Sequence, residues 1–236
     1  MTPVLELRSV SAAYGPFRAL FDVSLTVDRG ESVALVGANG AGKTTVARVA
    51  SGLVVPSAGA VIVDGVDMTS ARTYAFARAG VAHAPEGRSV FATLTVEENL
   101  SLSFRRVHGR RGVRKSLDLA YEMFPVLGRR REQTAGTLSG GEQRMLSLAR
   151  VLVDLPKVLI ADELSLGLAP IIVDELYESL RRLRGEGTSL LIVEQQVVQV
   201  LRLCDRVAVL DHGAVSWTGD RTDATEVVTQ VLDPLH

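Results

Sequence analysis

Residues 32–50 read SVALVGANGAGKTTVARVA. The first five form a continuous apolar-rich run, which suits a strand buried on both faces rather than one with a wet side. Gly37 to Thr44 then fit the spacing G-x-x-x-x-G-K-[ST], and a helical pattern follows. Strand, glycine-rich turn and helix in that order leave few folds open. The strand belongs inside a parallel sheet, and the turn leaves it at the carboxyl edge where such sheets bind ligands. Glycine lets consecutive backbone N–H groups close around phosphate oxygens, and the start of the helix adds its dipole. Lys43 is placed to reach β- and γ-phosphates, and the Thr44 hydroxyl to ligate Mg²⁺. Chance supplies on the order of 0.003 such matches in a chain of this composition. Gly37, Ala38, Asn39, Gly40, Ala41, Gly42, Lys43, Thr44 and Thr45 are therefore the candidate residues for the phosphates of a nucleoside triphosphate.

The remaining sequence supplies the sheet that such a loop requires. VLELRSVSAAY (4–14) and FDVSLTVDRGE (21–31) alternate, as exposed-face strands do, and GAVIVDG (59–65) is a strand between turn signals. A helical pattern follows Ala71, and GVAHA (80–84) is a short apolar strand. Residues 87–155 are mostly helical in spacing, with a basic, glycine-containing break around His108–Gly112. KVLIAD (157–162), SLLIVE (189–194) and RVAVLD (206–211) are three more buried strands. Between the first two, Ile172, Leu176, Leu180 and Leu183 fall on one helical face. Alternating strands and helices predict an α/β fold with a mostly parallel core sheet. The expected organisation is one domain over 1–236, with an antiparallel β subdomain in front and a helical subdomain inserted at roughly 87–155.

Two further stretches carry chemistry. VLIADE puts Asp162 and Glu163 at the carboxyl end of a buried strand, on the phosphate side of a parallel sheet. Asp162 suits Mg²⁺, directly or through water, and Glu163 suits polarising the water that attacks the γ-phosphate. The competing reading is a pair of loop carboxylates capping the next helix. GTLSGGEQRML (136–146) reads as a helix start aimed at an anion. Ser139 and Glu142 have capping-box spacing, while Gly140 and Gly141 keep the first turn bare of side chains.

Composition limits the partners. Hydrophobic residues make up 47% of the 236 and charged residues 22%, enough for a large core and against wholesale disorder. A net charge of −1 gives no reason to expect nucleic acid. The basic clusters at Arg105–Arg106, Arg110–Arg111 with Arg114–Lys115, and Arg129–Arg131 suit solvated faces, or docking on an acidic or membrane-near partner. With Cys204 as the single cysteine no intrachain disulfide forms, which fits a reducing compartment. MTPVLELRSV lacks the pattern of a signal peptide, and the greasiest run, GLVVPSAGAVIV, is broken before it could span a bilayer. Any membrane role is then expected to come through a partner.

LSGGEQ, after the phosphate loop and before Asp162–Glu163, resembles the signature of ATP-binding cassette (ABC) ATPases, which have the P-loop NTPase fold. The resemblance covers essentially the whole chain. It implies ATP and Mg²⁺ as ligands and a head-to-tail dimer in which Ser139, Gly140, Gly141 and Glu142 cover the nucleotide on the partner's phosphate loop. Tyr14 matches the aromatic residue that stacks on adenine. Glu86 stands where most relatives have a glutamine that senses γ-phosphate and Mg²⁺ and contacts the permease. A carboxylate there is repelled by phosphate unless it sits on the metal side or stays back. Gln195 stands where most have a switch histidine; an amide donates a hydrogen bond to a γ-phosphate but carries no proton. The resemblance thus names Lys43, Glu163 and Gln195 as the catalytic set, and Thr44, Asp162 and Glu86 as the metal set.

APEGRSVFATLTVEENL, FPVL, AGTLSGGEQRML, SLGLAP and IVEQQ are more narrowly similar to ATP-binding subunits of branched-chain amino acid importers, the second of two different ATPases. This implies a partner ATPase (a different chain, or a second copy), integral membrane permease subunits, indirectly a solute-binding protein, and a place on the cytoplasmic face of the cell membrane. A groove in the helical subdomain would receive a short helix of the permease. Two departures belong to this chain. Leu164 replaces a proline, which is expected to loosen the turn that aims Glu163, and VVTQVLDPLH looks short for a family C-terminus. The alternative function is a soluble ABC ATPase of an assembly or repair scaffold, against which stand the lack of a coiled-coil insertion, a tandem cassette or a basic surplus. A P-loop kinase or switch GTPase has no use for LSGGEQ.

Overall fold

A computed structural model describes residues 3–87, 89–152, 155–195 and 197–224. The C-terminal stretch VVTQVLDPLH, Arg88 and Gln196 lie outside the described residues, as do the side chains of residues 106–108 and 110.

The chain opens with β1 (Pro3–Tyr14) and β2 (Phe17–Asp28), an antiparallel hairpin. It continues with β3 (Ser32–Val36), α1 (Lys43–Ala50), β4 (Ala58–Val63), β5 (Val66–Asp67), α2 (Thr73–Ala79) and β6 (Val81–Ala84). Helices α3 (Val96–Met123) and α4 (Pro125–Arg129) come next, then a 3₁₀ turn at Ala135–Thr137 and α5 (Gly140–Leu152). The rest is β7 (Val158–Asp162), α6 (Pro170–Gly185), β8 (Ser189–Glu194), α7 (Val197–Leu201), β9 (Arg206–Asp211) and β10 (Ala214–Asp220).

Two sheets result. One is antiparallel, in the order β2-β1-β4-β5; the other runs β10-β9-β3-β8-β7-β6. In the second, β3 pairs parallel with β8 and β9, β7 parallel with β8, and β10 antiparallel with β9. The sequence explains which strands are interior. Every residue of β3, β7 and β8 is buried, as continuous apolar runs require. β10 (AVSWTGD) has no buried residue and closes the sheet at an edge. Sequence pattern gives no sign of it, nor of two-residue β5. β2 also starts earlier than its alternation, because Gly15, at φ +59, turns the hairpin at once and Tyr14 pairs with Phe17.

The chain forms two compact units, one of residues 1–83, 156–163 and 184–236, the other of 84–155 and 164–183. In the first, Val33, Leu35, Val46, Val49, Ile160, Leu191 and Val193 belong to one core with the hairpin residues Leu5, Leu7 and Val23. Burying one such side chain contributes about 1.5–3 kcal/mol. Arg206 ties β9 to the front of the chain through Glu31 (2.9 Å) and the Thr26 carbonyl (2.6 Å). The unit also holds a shifted titratable group. Burial, with Arg48 nearby, pushes the His83 imidazole down to about 4. Its Nδ1 lies 3.1 Å from the Ser51 hydroxyl.

In the second unit α3 packs on α4 and α5. Its start is a capping box: the Thr95 side chain accepts from the Glu98 N–H and the Glu98 carboxylate from the Thr95 N–H. The expected basic, glycine-containing break is a kink at Gly109, where φ is +63. Fully buried Asn99 fastens the preceding loop by accepting from the Phe91 N–H (2.8 Å) and donating to the Phe91 carbonyl (3.0 Å). α6 buries Val173, Leu176, Tyr177, Leu180 and Leu183, while Ile172 is only half-buried. The apolar stripe is thus set one residue round from the expected face at its first turn. Among the described residues no helix is long and apolar enough to cross a membrane.

Candidate active site

Register brings four strand ends to one edge of the parallel sheet. Val36, the last residue of β3, pairs with Glu194, the last of β8, and with Val209 of β9. Asp162, the last of β7, pairs with Val193. The Gly37–Thr44 loop, the Asp162–Glu163 pair, Gln195 and the His212–Gly213 turn therefore leave the sheet side by side.

The loop keeps its glycines for different reasons. A Cβ on Gly37 would collide with the Leu210 carbonyl, so the backbone of β9 seats directly on the loop. Gly42 has φ +104, and a Cβ there would lie 2.8 Å from the Ala19 carbonyl oxygen. That residue is also the N-cap of α1, which has no side-chain cap and no acidic residue in its first turn. The first-turn N–H groups of α1 are thus left to a ligand. Ala38, Asn39 and Gly40 are exposed, Ala41 and Thr45 buried.

Lys43, Thr44, Asp162 and Glu163 meet as the sequence predicts. Lys43 is 4% exposed, and its ammonium donates to the Gly37 (3.0 Å) and Ala38 (3.1 Å) carbonyls and lies 3.3 Å from the Glu163 carboxylate. The Thr44 hydroxyl donates to buried Asp162 at 3.4 Å. Glu163 is in the left-handed region at φ +45, a conformation that costs a non-glycine residue about 1 kcal/mol. Its N–H is fixed by the Val193 carbonyl of β8 at 2.8 Å. The turn after Glu163 is not loosened by the missing proline. Leu164 is itself buried, and its carbonyl accepts from the Arg144 guanidinium at 3.3 Å.

A cavity of about 600 Å³ is lined by Gly40, Gly42, Lys43, Thr44, Thr45 and Glu163 together with Arg18, Ala19, Phe21, His212 and Gly213. This lining is braced by backbone: the Phe21 N–H donates to the Gly213 carbonyl (2.8 Å), and the Gly213 N–H to the Ala41 carbonyl (2.9 Å). Tyr14, 43% exposed, stands on the hairpin with its hydroxyl 3.5 Å from the Arg48 guanidinium. Gln195 is exposed at the end of β8.

The second unit holds the other named residues. Ser139 and Glu142 form the capping box at the start of α5, with bonds of 2.9 and 3.3 Å that use the N–H groups of Ser139 and Glu142, not those of Gly140 and Gly141. The other Glu142 oxygen is 2.7 Å from Arg130, so this carboxylate is held as a cap. Gly141 faces Ile172 closely, a Cβ there reaching 3.2 Å. Glu86 is exposed in a turn that Arg144 holds from both sides, donating to the carbonyls of Pro85 (3.0 Å) and Gly87. Arg144, only 5% exposed, is a structural residue that sequence reasoning misses. Three of its acceptors are the backbone carbonyls of Pro85, Gly87 and Leu164, which leave no mark in a motif.

Residues 20–165 match the sequence profile of the family described as ABC transporter. The chain belongs to the ABC transporter family. It is an ATP-binding domain of that family, an ATPase with the P-loop NTPase fold. It is 42% identical over 212 residues to the high-affinity branched-chain amino acid transport ATP-binding protein BraG of Pseudomonas aeruginosa, with 90% of this chain and 91% of that one covered. It is 34% identical over 224 residues to the probable branched-chain amino acid transport ATP-binding protein LivF of Archaeoglobus fulgidus, covering 94% of each. The lipopolysaccharide export system ATP-binding protein LptB of Escherichia coli K12 is 33% identical over 221 residues, 93% of this chain and 91% of that protein. A solved structure of an ATP-binding subunit of an ABC transporter superposes with a TM-score of 0.84 at 28% identity, covering 97% of this chain and 94% of that one. The ABC ATPase assignment accounts for the glycine loop, the acidic pair and LSGGEQ together.

Proposed function

We propose that this ABC ATPase powers import of a small solute, a branched-chain amino acid, through a membrane permease. The observation that carries the solute class is the 42% identity to BraG over nine-tenths of both chains. LptB, which serves export, is more distant at 33%. The ATPase itself never meets the solute, so the class rests on kinship and not on any pocket of this chain.

Each site residue has a role that its surroundings support. The exposed backbone of Ala38–Gly40 and the uncapped start of α1 hold phosphate oxygens, Lys43 neutralises the β- and γ-phosphates, and Tyr14 stacks on adenine. Glu163, aimed by its bond to Val193, orients the attacking water as base. Gln195 donates an amide hydrogen bond to the γ-phosphate. The donor set fits Mg²⁺. Thr44 and Asp162 offer hard oxygens 3.4 Å apart, and Mg²⁺ takes one or two protein oxygens with the rest from phosphate and water. When bound, the ion neutralises charge on the phosphates. Among the described residues no group of three or more His, Cys, Asp or Glu could hold a metal ion.

Ser139, Gly140 and Gly141 cover the γ-phosphate on a second ATPase subunit, so that ATP closes a head-to-tail dimer and hydrolysis reopens it. The groove of about 740 Å³ beside Thr95, Glu98 and Leu102 is where a permease helix docks. The subunit then sits on the cytoplasmic face of the membrane, coupled indirectly to a solute-binding protein. The test is to purify the native complex, identify its permease and binding protein, and measure ATP turnover in proteoliposomes with candidate solutes. Stimulation by leucine, isoleucine or valine supports the reading. Native protein wholly free of membranes, with no integral partner in crosslinks, refutes it.

A further inference from the structure

Among the residues lining the nucleotide cavity is a cation, Arg18, that no motif accounts for. Arg18 lies on β2 opposite Ala13 of β1, four residues past Tyr14. Its guanidinium lies 4.8 Å from the centroid of the Phe21 ring, a cation–π contact. It makes no hydrogen bond to any described residue, so its five N–H donors are all available. Lys43, the loop's own cation, is already shared among two carbonyls and Glu163. The cavity lining also carries the Glu163 carboxylate. A nucleoside triphosphate brings several negative charges into this space, and a second side-chain cation adds to what Lys43, the loop N–H groups and Mg²⁺ offset.

The backbone around Arg18 is fixed. Ala19 passes so close to the loop that Gly42 has no room for a Cβ, and Phe21 is bonded through Gly213 to Ala41. β2 is thereby held against the phosphate loop, and the Phe21 ring gives the long Arg18 side chain a platform at the cavity mouth.

Resting on the ATP-binding reading above, we propose that Arg18 is a phosphate-binding residue of this site, with its guanidinium donating to phosphate oxygens of the bound nucleotide from the β2 side and Phe21 holding it there. A guanidinium matches phosphate geometry with paired donors, which an ammonium does not. Arg18 and Phe21 then act as one unit.

The test measures equilibrium affinity of purified protein for ATP, ADP and adenosine by competition against a fluorescent ATP analogue. Arg18→Ala should weaken ATP and ADP about tenfold and leave adenosine unchanged; Arg18→Lys should recover part of the loss. Phe21→Ala should weaken ATP a few-fold, since it removes the platform but not the cation. Tyr14→Ala, by contrast, should weaken adenosine as much as ATP. Arg18→Glu keeps an exposed, hydrogen-bond-free side chain, so the fold survives, and it should weaken ATP beyond the alanine variant. Wild-type affinity for ATP in Arg18→Ala and Arg18→Glu would overturn the proposal while leaving the ATP site intact. Equal losses for adenosine and ATP would also overturn it. Failure of the wild-type chain to bind ATP at all would sink this inference and the functional reading together.

Discussion

Gly40 and Gly42 sit two residues apart in one loop, yet replacing each by alanine should have different consequences. Both have positive φ, +81 and +104, so either alanine accepts a left-handed conformation that costs about 1–2 kcal/mol. At Gly40 that is the whole cost, because nothing lies within 4 Å of the added Cβ. At Gly42 the Cβ also meets the Ala19 carbonyl oxygen at 2.8 Å and a Leu20 methyl at 3.0 Å. The carbonyl belongs to a strand that cannot yield cheaply, and overpacking of this kind adds about 1–3 kcal/mol. Gly42→Ala should therefore cost about 2–5 kcal/mol. For a chain of this size 1 kcal/mol shifts Tm by about 2–4 °C, so Gly40→Ala should melt about 5 °C below wild type and Gly42→Ala about 10 °C below. The second substitution also moves the N-cap of α1, and with it Lys43 and Thr44, by a few tenths of an ångström. Thermal unfolding by circular dichroism, with ATP affinity and turnover on the same preparations, reads all three. Turnover should fall about tenfold for Gly42→Ala and less for Gly40→Ala. A Gly42→Ala protein no less stable and no less active than Gly40→Ala would refute the account of how β2 presses on the loop.

Three other outcomes are expected. His83 is held neutral in the fold, so the unfolded chain binds the extra proton first, and stability falls as pH drops from about 6.5 towards 4. Urea unfolding should show about 2 kcal/mol lost to this group between pH 7 and pH 5, and His83→Phe should flatten that slope. Arg144→Met strips hydrogen bonds from the carbonyls of Pro85, Gly87 and Leu164; it should cost about 2–4 kcal/mol in unfolding free energy, with Arg144→Lys falling between. Ser139→Arg should leave ATP affinity unchanged but abolish ATP-driven closure, read as loss of the dimer peak in size exclusion with ATP and the partner subunit.

The parts of this molecule written in local sequence were legible, and the parts made by tertiary contact were not. β3, β7, β8 and β9 announce themselves because strands buried on both faces need unbroken apolar runs. The loop from Gly37 to Thr44 and the Asp162–Glu163 pair could be read because phosphate and metal chemistry admits few residues at fixed spacing. The Ser139–Glu142 box is legible for the same reason on a smaller scale. β10 was not, since an exposed edge strand with glycine and aspartate carries no alternation to detect. Leu164 misleads in sequence, where a missing proline suggests a loose turn. The restraint comes instead from Val193 and Arg144, twenty to thirty residues away in the chain. Arg18 is likewise silent until β2 is laid against the loop.

The central claim is that Glu163, set in its left-handed turn beside Lys43, supplies the base for ATP hydrolysis. It is tested most directly by Glu163→Gln, which keeps the shape and removes the charge. ATP affinity and steady-state turnover should be measured on the same preparation. The account predicts wild-type or tighter ATP binding with turnover lowered at least about a hundredfold, as loss of a positioned base implies. Turnover equal to wild type, with binding intact, would contradict it.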